Sequence, residues 1–170
     1  APDHPLSFAS GQYLEWTLLH PHADSRGNRR YFTIASSPTE QEIKLGIRFN
    51  TPSSSFKSNL LTLPTGKTVV ASQLAGDFTL PDGQRKKLVF IAGGIGITPF
   101  RSMIKFLIDT REKRDIVLLY ANKTVDEIAY KEFFMEARRQ LGIKIVYILS
   151  DKEQLPKQWA GRVGRIDEQM

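Results

Sequence analysis

Two short segments hold residue types that can do chemistry. In Gly93-Gly94-Ile95-Gly96-Ile97-Thr98-Pro99, glycines stand between an apolar run and a helix start. Glycines in that setting let the backbone turn tightly and present N–H groups to phosphate oxygens beside the positive end of a helix. Without its surroundings a glycine pair is more often an ordinary strand-to-helix turn. The turn also departs from the usual dinucleotide fingerprint, because Pro99 stands where a third glycine belongs and Asn122-Lys123, not an acid, follow the next apolar run. The second segment, Arg30-Tyr31-Phe32-Thr33-Ile34-Ala35-Ser36-Ser37-Pro38, combines a cation, aromatic rings and hydroxyls on an extended stretch closed by proline. In a strand, Arg30, Phe32 and Ile34 face one way and Tyr31, Thr33 and Ala35 the other. Composition and periodicity by themselves favour a plain exposed strand there.

The elements that must position these segments differ between the two halves of the chain, which meet near Pro81-Asp82-Gly83-Gln84. In residues 1–83, Tyr13 to Leu18, Lys44 to Phe49 and Lys67 to Val70 alternate polar and apolar between turns and predict short antiparallel strands. Phe56 to Leu61, after Ser53-Ser54-Ser55, predicts one brief capped helix. Together they predict a small antiparallel β-barrel or sandwich, the barrel being the fold expected here. Residues 84–170 alternate continuous apolar strands with amphipathic helices, the pattern of an α/β parallel-sheet nucleotide-binding domain. The strands are Leu88 to Ala92, Ile116 to Tyr120 and Ile143 to Leu149. Thr98 is placed as the cap of a helix with Pro99 in its first turn and Met103, Ile104, Phe106 and Leu107 on its apolar face. Thr124 with Glu127 predicts a capping box for a helix ending before Gly142. Three parallel strands are fewer than such domains usually have, so the domain reads as incomplete at its C-terminal end.

Composition narrows the function classes. At 170 residues with 41% apolar and 25% charged, the chain suits one domain or two small ones. It has no cysteine, which excludes disulfides, cysteine-ligated zinc and an iron–sulfur cluster of its own. The net charge of +6 is spread among acids, which favours a solvated basic surface over a nucleic-acid patch. No apolar run approaches the roughly 20 residues of a membrane span. No signal peptide is evident at Ala1 to Pro5, so a cytoplasmic location is expected. There is no nucleophile elbow, zinc helix motif or Gly-Lys-Ser/Thr phosphate loop, and His20-Pro21-His22 reads as a surface loop, so no metal site is expected.

The two segments, in this order, resemble the ferredoxin–NADP reductase superfamily of flavin-dependent oxidoreductases over nearly the whole chain. Arg30, Phe32, Thr33 and Ser36 meet one family pattern, and Gly94, Gly96, Thr98 and Pro99 the other. Gly11-Gln12-Tyr13 and Gly76-Asp77-Phe78 extend the match. The resemblance implies FAD (or FMN) as cofactor and NAD(P)H as electron donor, with hydride passing to the flavin and electrons onward to a partner acceptor. It implies that Phe32, beside Tyr31, lies against the flavin ring and that Arg30 neutralises its phosphate. It implies as well that the Thr33 hydroxyl reaches the ring's N5 edge, which makes Thr33 the residue expected to act in catalysis. Ser54, Ser55 and Phe56 fall where the family places a second phosphate contact, although the family's Gly-x-x-Ser spacing is missing. Gly93, Gly94, Gly96, Thr98 and Pro99 would hold the nucleotide, with Asn122 and Lys123 at the adenosine ribose; the choice between NADH and NADPH stays open.

The family's closing Cys-Gly-Pro strand and helix are missing, and Trp159 to Ile166 resembles the lead-in to them. The chain is therefore expected to be a fragment of a longer protein. Gly11 to Leu18 and Asp24 to Arg30 resemble reductase domains that follow a membrane-embedded electron-transfer module, which would make this the cytoplasmic domain of a membrane-bound protein. The alternatives are a non-catalytic flavin- or nucleotide-binding module and, on charge and barrel topology, a nucleic-acid-binding barrel.

Overall fold

The computed structural model of the chain describes residues 6–83 and 85–168. Ala1 to Pro5, Gln84, Gln169 and Met170 lie outside the described residues, and with them the N-terminal stretch and the boundary residue considered above.

In the first half, β1 (Tyr13–Thr17) pairs antiparallel with β2 (Arg29–Thr33) on one side and β3 (Val70–Ala75) on the other, giving the order β2-β1-β3. Leu14 and Phe32 stand opposite each other in this sheet. Helix α1 (Ser55–Leu61) lies between β2 and β3 in sequence, and the Ser54 hydroxyl caps it by accepting the Lys57 N–H at 3.3 Å. Two expected strands are corrected. Lys44 to Phe49 makes only an isolated bridge, Leu45 with Ile34, and is otherwise irregular. The segment runs against the second half instead: a Cβ on Gly46 would come within 2.5 Å of both the Thr98 methyl and the Tyr130 hydroxyl. The other strand starts at Val70, because Pro64 to Lys67 forms a turn closed by Lys67 N–H to Pro64 O at 3.2 Å. Among the described residues, strand pairing leaves the three-stranded sheet open and does not close it into a barrel.

In the second half, β4 (Leu88–Gly93), β5 (Ile116–Asn122), β6 (Lys144–Leu149) and β7 (Arg162–Val163) form a parallel sheet in that order. The sheet thus has a fourth strand beyond the three expected; two residues carry no readable periodicity. Helices α2 (Thr98–Asp109) and α3 (Lys131–Leu141) supply the crossovers. Phe90, Ile104, Leu107, Leu118, Tyr120 and Phe134 form the core between sheet and helices, while Phe106 is only half-buried.

Both expected caps in this half are replaced. A 3-10 turn at Gly94–Ile97 runs directly into α2, so Thr98 is its first residue and its hydroxyl donates back to Ile95 O at 3.3 Å. Val125–Glu127 forms a separate 3-10 turn, and α3 starts only after Tyr130, whose φ is 56°. Glu127 turns away from the helix because Arg48 and the Lys123 N–H claim its carboxylate. The stop at Gly142 is as expected, with φ 72° and its N–H on Arg138 O at 3.0 Å.

The halves are fastened through α2. Arg101 donates to Ala35 O at 3.0 Å, grips both Glu40 carboxylate oxygens, and stacks 5.0 Å from the Phe133 ring centre. The buried Ser102 hydroxyl donates to Ser36 O at 2.6 Å. Burial alone would raise the Glu40 carboxyl, but hydrogen bonds from Arg101, the Ser37 N–H and Lys44 outweigh it and bring its pKa to about 2. No helix among the described residues is long and apolar enough to cross a membrane.

Candidate functional site

The expected residues assemble as three groups. The first sits where β2 meets the start of α1. Phe56, fully buried, packs 6.0 Å from Phe32 and carries the Arg30 guanidinium 5.3 Å above its ring. Ser54 and Ser55 belong to the same corner. Arg30 Nη1 donates to the carbonyls of Arg26, Gly27 and Arg29, while Nη2 stands 3.5 Å from Asp24 Oδ1. The Asp24 carboxylate also accepts the Ser55 N–H at 3.0 Å and the Arg26 N–H at 3.0 Å. That Ser55 N–H holds the Asp24 carboxyl below its ordinary range. The corner therefore already accepts an anion, supplied by the chain itself. Its potential is positive: burial, then the charges of Arg26, Arg30 and Arg48, lower the Lys57 ammonium. His20 is tied into this corner through Leu18 O at 2.7 Å and Ser55 Oγ at 3.0 Å.

The second group lies on the opposite face of β2, as alternation requires. Tyr13, Tyr31 and Thr33 line a cavity of about 360 Å³, with the two tyrosine rings edge-to-face at 5.7 Å. Neighbouring Glu15 raises the Tyr31 phenol. Ser36, by contrast, is fully buried, and its hydroxyl accepts the Lys44 N–H at 3.0 Å. It braces the exit of the strand.

The third group is a cleft of about 510 Å³ at the C-terminal ends of β4, β5 and β6, the place where open parallel sheets take ligands. Gly93, Gly94, Asn122 and Lys123 line it. Gly94 has φ 49°, a left-handed conformation suited to glycine. Asn122 is 5% exposed, and beyond its approach to the Tyr120 hydroxyl its side-chain oxygen and nitrogen make no hydrogen bond of good geometry. A buried amide of that kind is costly unless something else completes it. Gly96, Thr98 and Pro99 lie further along the same turn, with Thr98 buried against the Gly46 segment.

Sequence reasoning passed over Asp24, Arg48 and Glu127. The Arg48–Glu127 contact joins residues 79 apart and left no local signal. A larger cavity of about 860 Å³, lined by Tyr147, Trp159 and residues of α3, lies apart from all three groups.

The chain thus joins an open antiparallel sheet with a cationic corner to a parallel sheet with a glycine turn and a cleft at its C-terminal strand ends. Residues 90–170 match the oxidoreductase NAD-binding domain family. The chain is 27% identical to the flavohemoprotein of Bacillus subtilis strain 168 over 95% of its own length and 40% of that protein. It is 30% identical to the phenol 2-monooxygenase reductase component DmpP of Pseudomonas sp. strain CF600 over 98% of its own length and 46% of that relative. Among solved structures, the Amycolatopsis cytochrome P450 reductase GcoB superposes with a TM-score of 0.78 at 26% identity, covering 95% of this chain and 48% of that one. These similarities agree with the ferredoxin–NADP reductase-like resemblance of the sequence, and the chain spans less than half the length of these relatives.

Proposed function

We propose that the chain is a flavin-dependent oxidoreductase module that takes hydride from NAD(P)H onto bound FAD and passes electrons to a partner acceptor. Residues 1–83 form the flavin unit and 84–170 the nucleotide unit. The observation that carries this reading is the position of Arg48. It contributes to the positive corner around Lys57 and also lines the cleft beside Gly94, so the two anion-accepting regions adjoin.

The residues suit both groups. A guanidinium fork and a cluster of cations match a flavin phosphate, a role the Asp24 carboxylate fills at present. Phe32, half-buried and backed by the fully buried Phe56, provides apolar surface for a flat ring. Ser54 and Ser55 would extend the phosphate contacts, and Asn122 and Lys123 would meet the adenosine portion of the nucleotide; the ring-edge role of Thr33, which lies beside Tyr31 on the opposite face of β2 from Phe32, rests on the family resemblance alone. The flavin supplies the hydride-accepting chemistry when bound. The chain's own share is binding, orientation and exclusion of water, with no acid or base required. Its acceptor is a haem, iron–sulfur, flavin or quinone group on another domain or protein; these 170 residues have no cysteine with which to hold an iron–sulfur cluster.

The purified chain is expected to carry a yellow flavin band that bleaches on anaerobic addition of NADH or NADPH. A persistent oxidised band, with nucleotide binding measurable, would instead make it a non-catalytic binding module. Combining Arg30→Ala with Phe32→Ala is expected to lower flavin affinity about tenfold or more, the scale of one lost charge-assisted hydrogen bond. Unchanged flavin content in the folded double variant would remove that strand from the flavin site.

A further inference from the structure

Arg48 reaches out of the first half of the chain and lies over the glycine turn of the second. A Cβ on Gly94 would stand 3.6 Å from its Nη1, so the missing side chain leaves room between turn and guanidinium. The guanidinium is engaged, because Nη2 donates to Glu127 Oε1. The other Glu127 oxygen accepts the Lys123 N–H at 3.2 Å, which anchors the carboxylate at the end of β5. Lys123 has its own acid, Asp151, at 3.8 Å. Two of the three basic side chains lining the cleft, Arg48 and Lys123, are thus already paired with carboxylates of the same chain.

We propose that Glu127 is an internal counter-ion that a dinucleotide phosphate displaces from Arg48. This rests on the reading that a nucleotide binds at the Gly94 turn. Arg48 then becomes a phosphate ligand contributed by the flavin half, and Glu127 sets how tightly the nucleotide is held. Carboxylate and phosphate present the same bidentate geometry to a guanidinium, so either can occupy the fork. The existing pair is half-open to solvent, with side chains 44% and 21% exposed, and pairs of that kind hold weakly enough to exchange. The exchange also changes what bridges the two halves. Before binding, Arg48 and Glu127 tie them together directly; after it, Arg48 holds the nucleotide that the other half cradles.

Calorimetric titration of the full chain with ADP-ribose, inorganic pyrophosphate and adenosine tests this. Glu127→Gln keeps the size and hydrogen-bonding reach of the side chain but removes its charge, and is expected to tighten ADP-ribose and pyrophosphate about fivefold. Arg48→Gln is expected to weaken both about tenfold. The double variant should match Arg48→Gln, and adenosine, which has no phosphate, should bind all forms alike. An affinity unchanged or weakened in Glu127→Gln would overturn the proposal. So would a gain that persists in the Arg48→Gln background, which would be plain repulsion by Glu127. Wild-type protein that binds none of the three probes would overturn the nucleotide reading itself, and this inference with it.

Discussion

Replacing Arg101 by alanine is expected to cost about 3 kcal/mol of folding free energy, the lower end of the range for stranding one partner of a buried ion pair. Both side chains of the Arg101–Glu40 pair are 12% exposed, so Glu40 would be left with little water to replace the guanidinium. The same change removes the bond to Ala35 O and the stacking on Phe133. Urea unfolding at neutral pH measures the loss. Its pH dependence identifies the cause. The Glu40 carboxyl is lowered from 4.5 to about 2, so the stability it contributes is present above pH 4.5 and fades as the pH falls toward 2. The gap between wild type and Arg101→Ala should therefore narrow over that window. A gap that stays constant with pH would assign the loss to packing on Phe133 and not to the charge pair. A loss below about 1 kcal/mol would mean that the pair behaves as an ordinary surface bridge.

This fastening also shows where sequence stops being informative. The parallel half was legible because β4, β5 and β6 are continuous apolar runs and the glycines at 94 and 142 occupy left-handed conformations. Helix α1 and a cap within the serine cluster 53–55 were equally readable, since capping is a local event; which serine caps it, Ser54, comes from the structure. The failures share a physical cause. Lys44 to Phe49 has the alternation of a strand, but contact with Thr98 and Tyr130 claims the segment. Thr124 and Glu127 have the spacing of a capping box, yet a guanidinium from the other half outbids the helix for the carboxylate. Tertiary partners override local propensity in each case. For the site, Arg30, Phe32, Ser54, Ser55 and Phe56 were marked in advance and come together. Resemblance to a family pattern marked them, since alternation alone could not distinguish the strand from an ordinary one. Asp24, Arg48, Arg101 and Glu127 act through contacts between distant positions, and no spacing rule reaches them.

The other large effect is expected at Phe56, which is fully buried and is the only buried residue of α1. Its ring meets Phe32 at 6.0 Å, His20 at 6.4 Å and the Arg30 guanidinium at 5.3 Å, so one side chain seats the helix against both the strand and the cation. Phe56→Ala should cost about 3–5 kcal/mol, the transfer free energy of the ring plus the cavity it leaves. Because α1 is short, its position depends on that contact more than on its own propensity. Loosening it also loosens the Ser55 N–H that holds Asp24, and with it the carbonyl collar around Arg30. Flavin retention is therefore expected to fall together with stability, measured as bound flavin per chain at a temperature where the variant is still folded. Phe56→Leu separates the two effects. It fills most of the space and should recover most of the stability, but it removes the aromatic face under Arg30, so flavin retention should recover only in part. Full recovery of flavin in Phe56→Leu would show that the ring acts by volume alone. Unchanged flavin content in folded Phe56→Ala would place the cofactor away from α1.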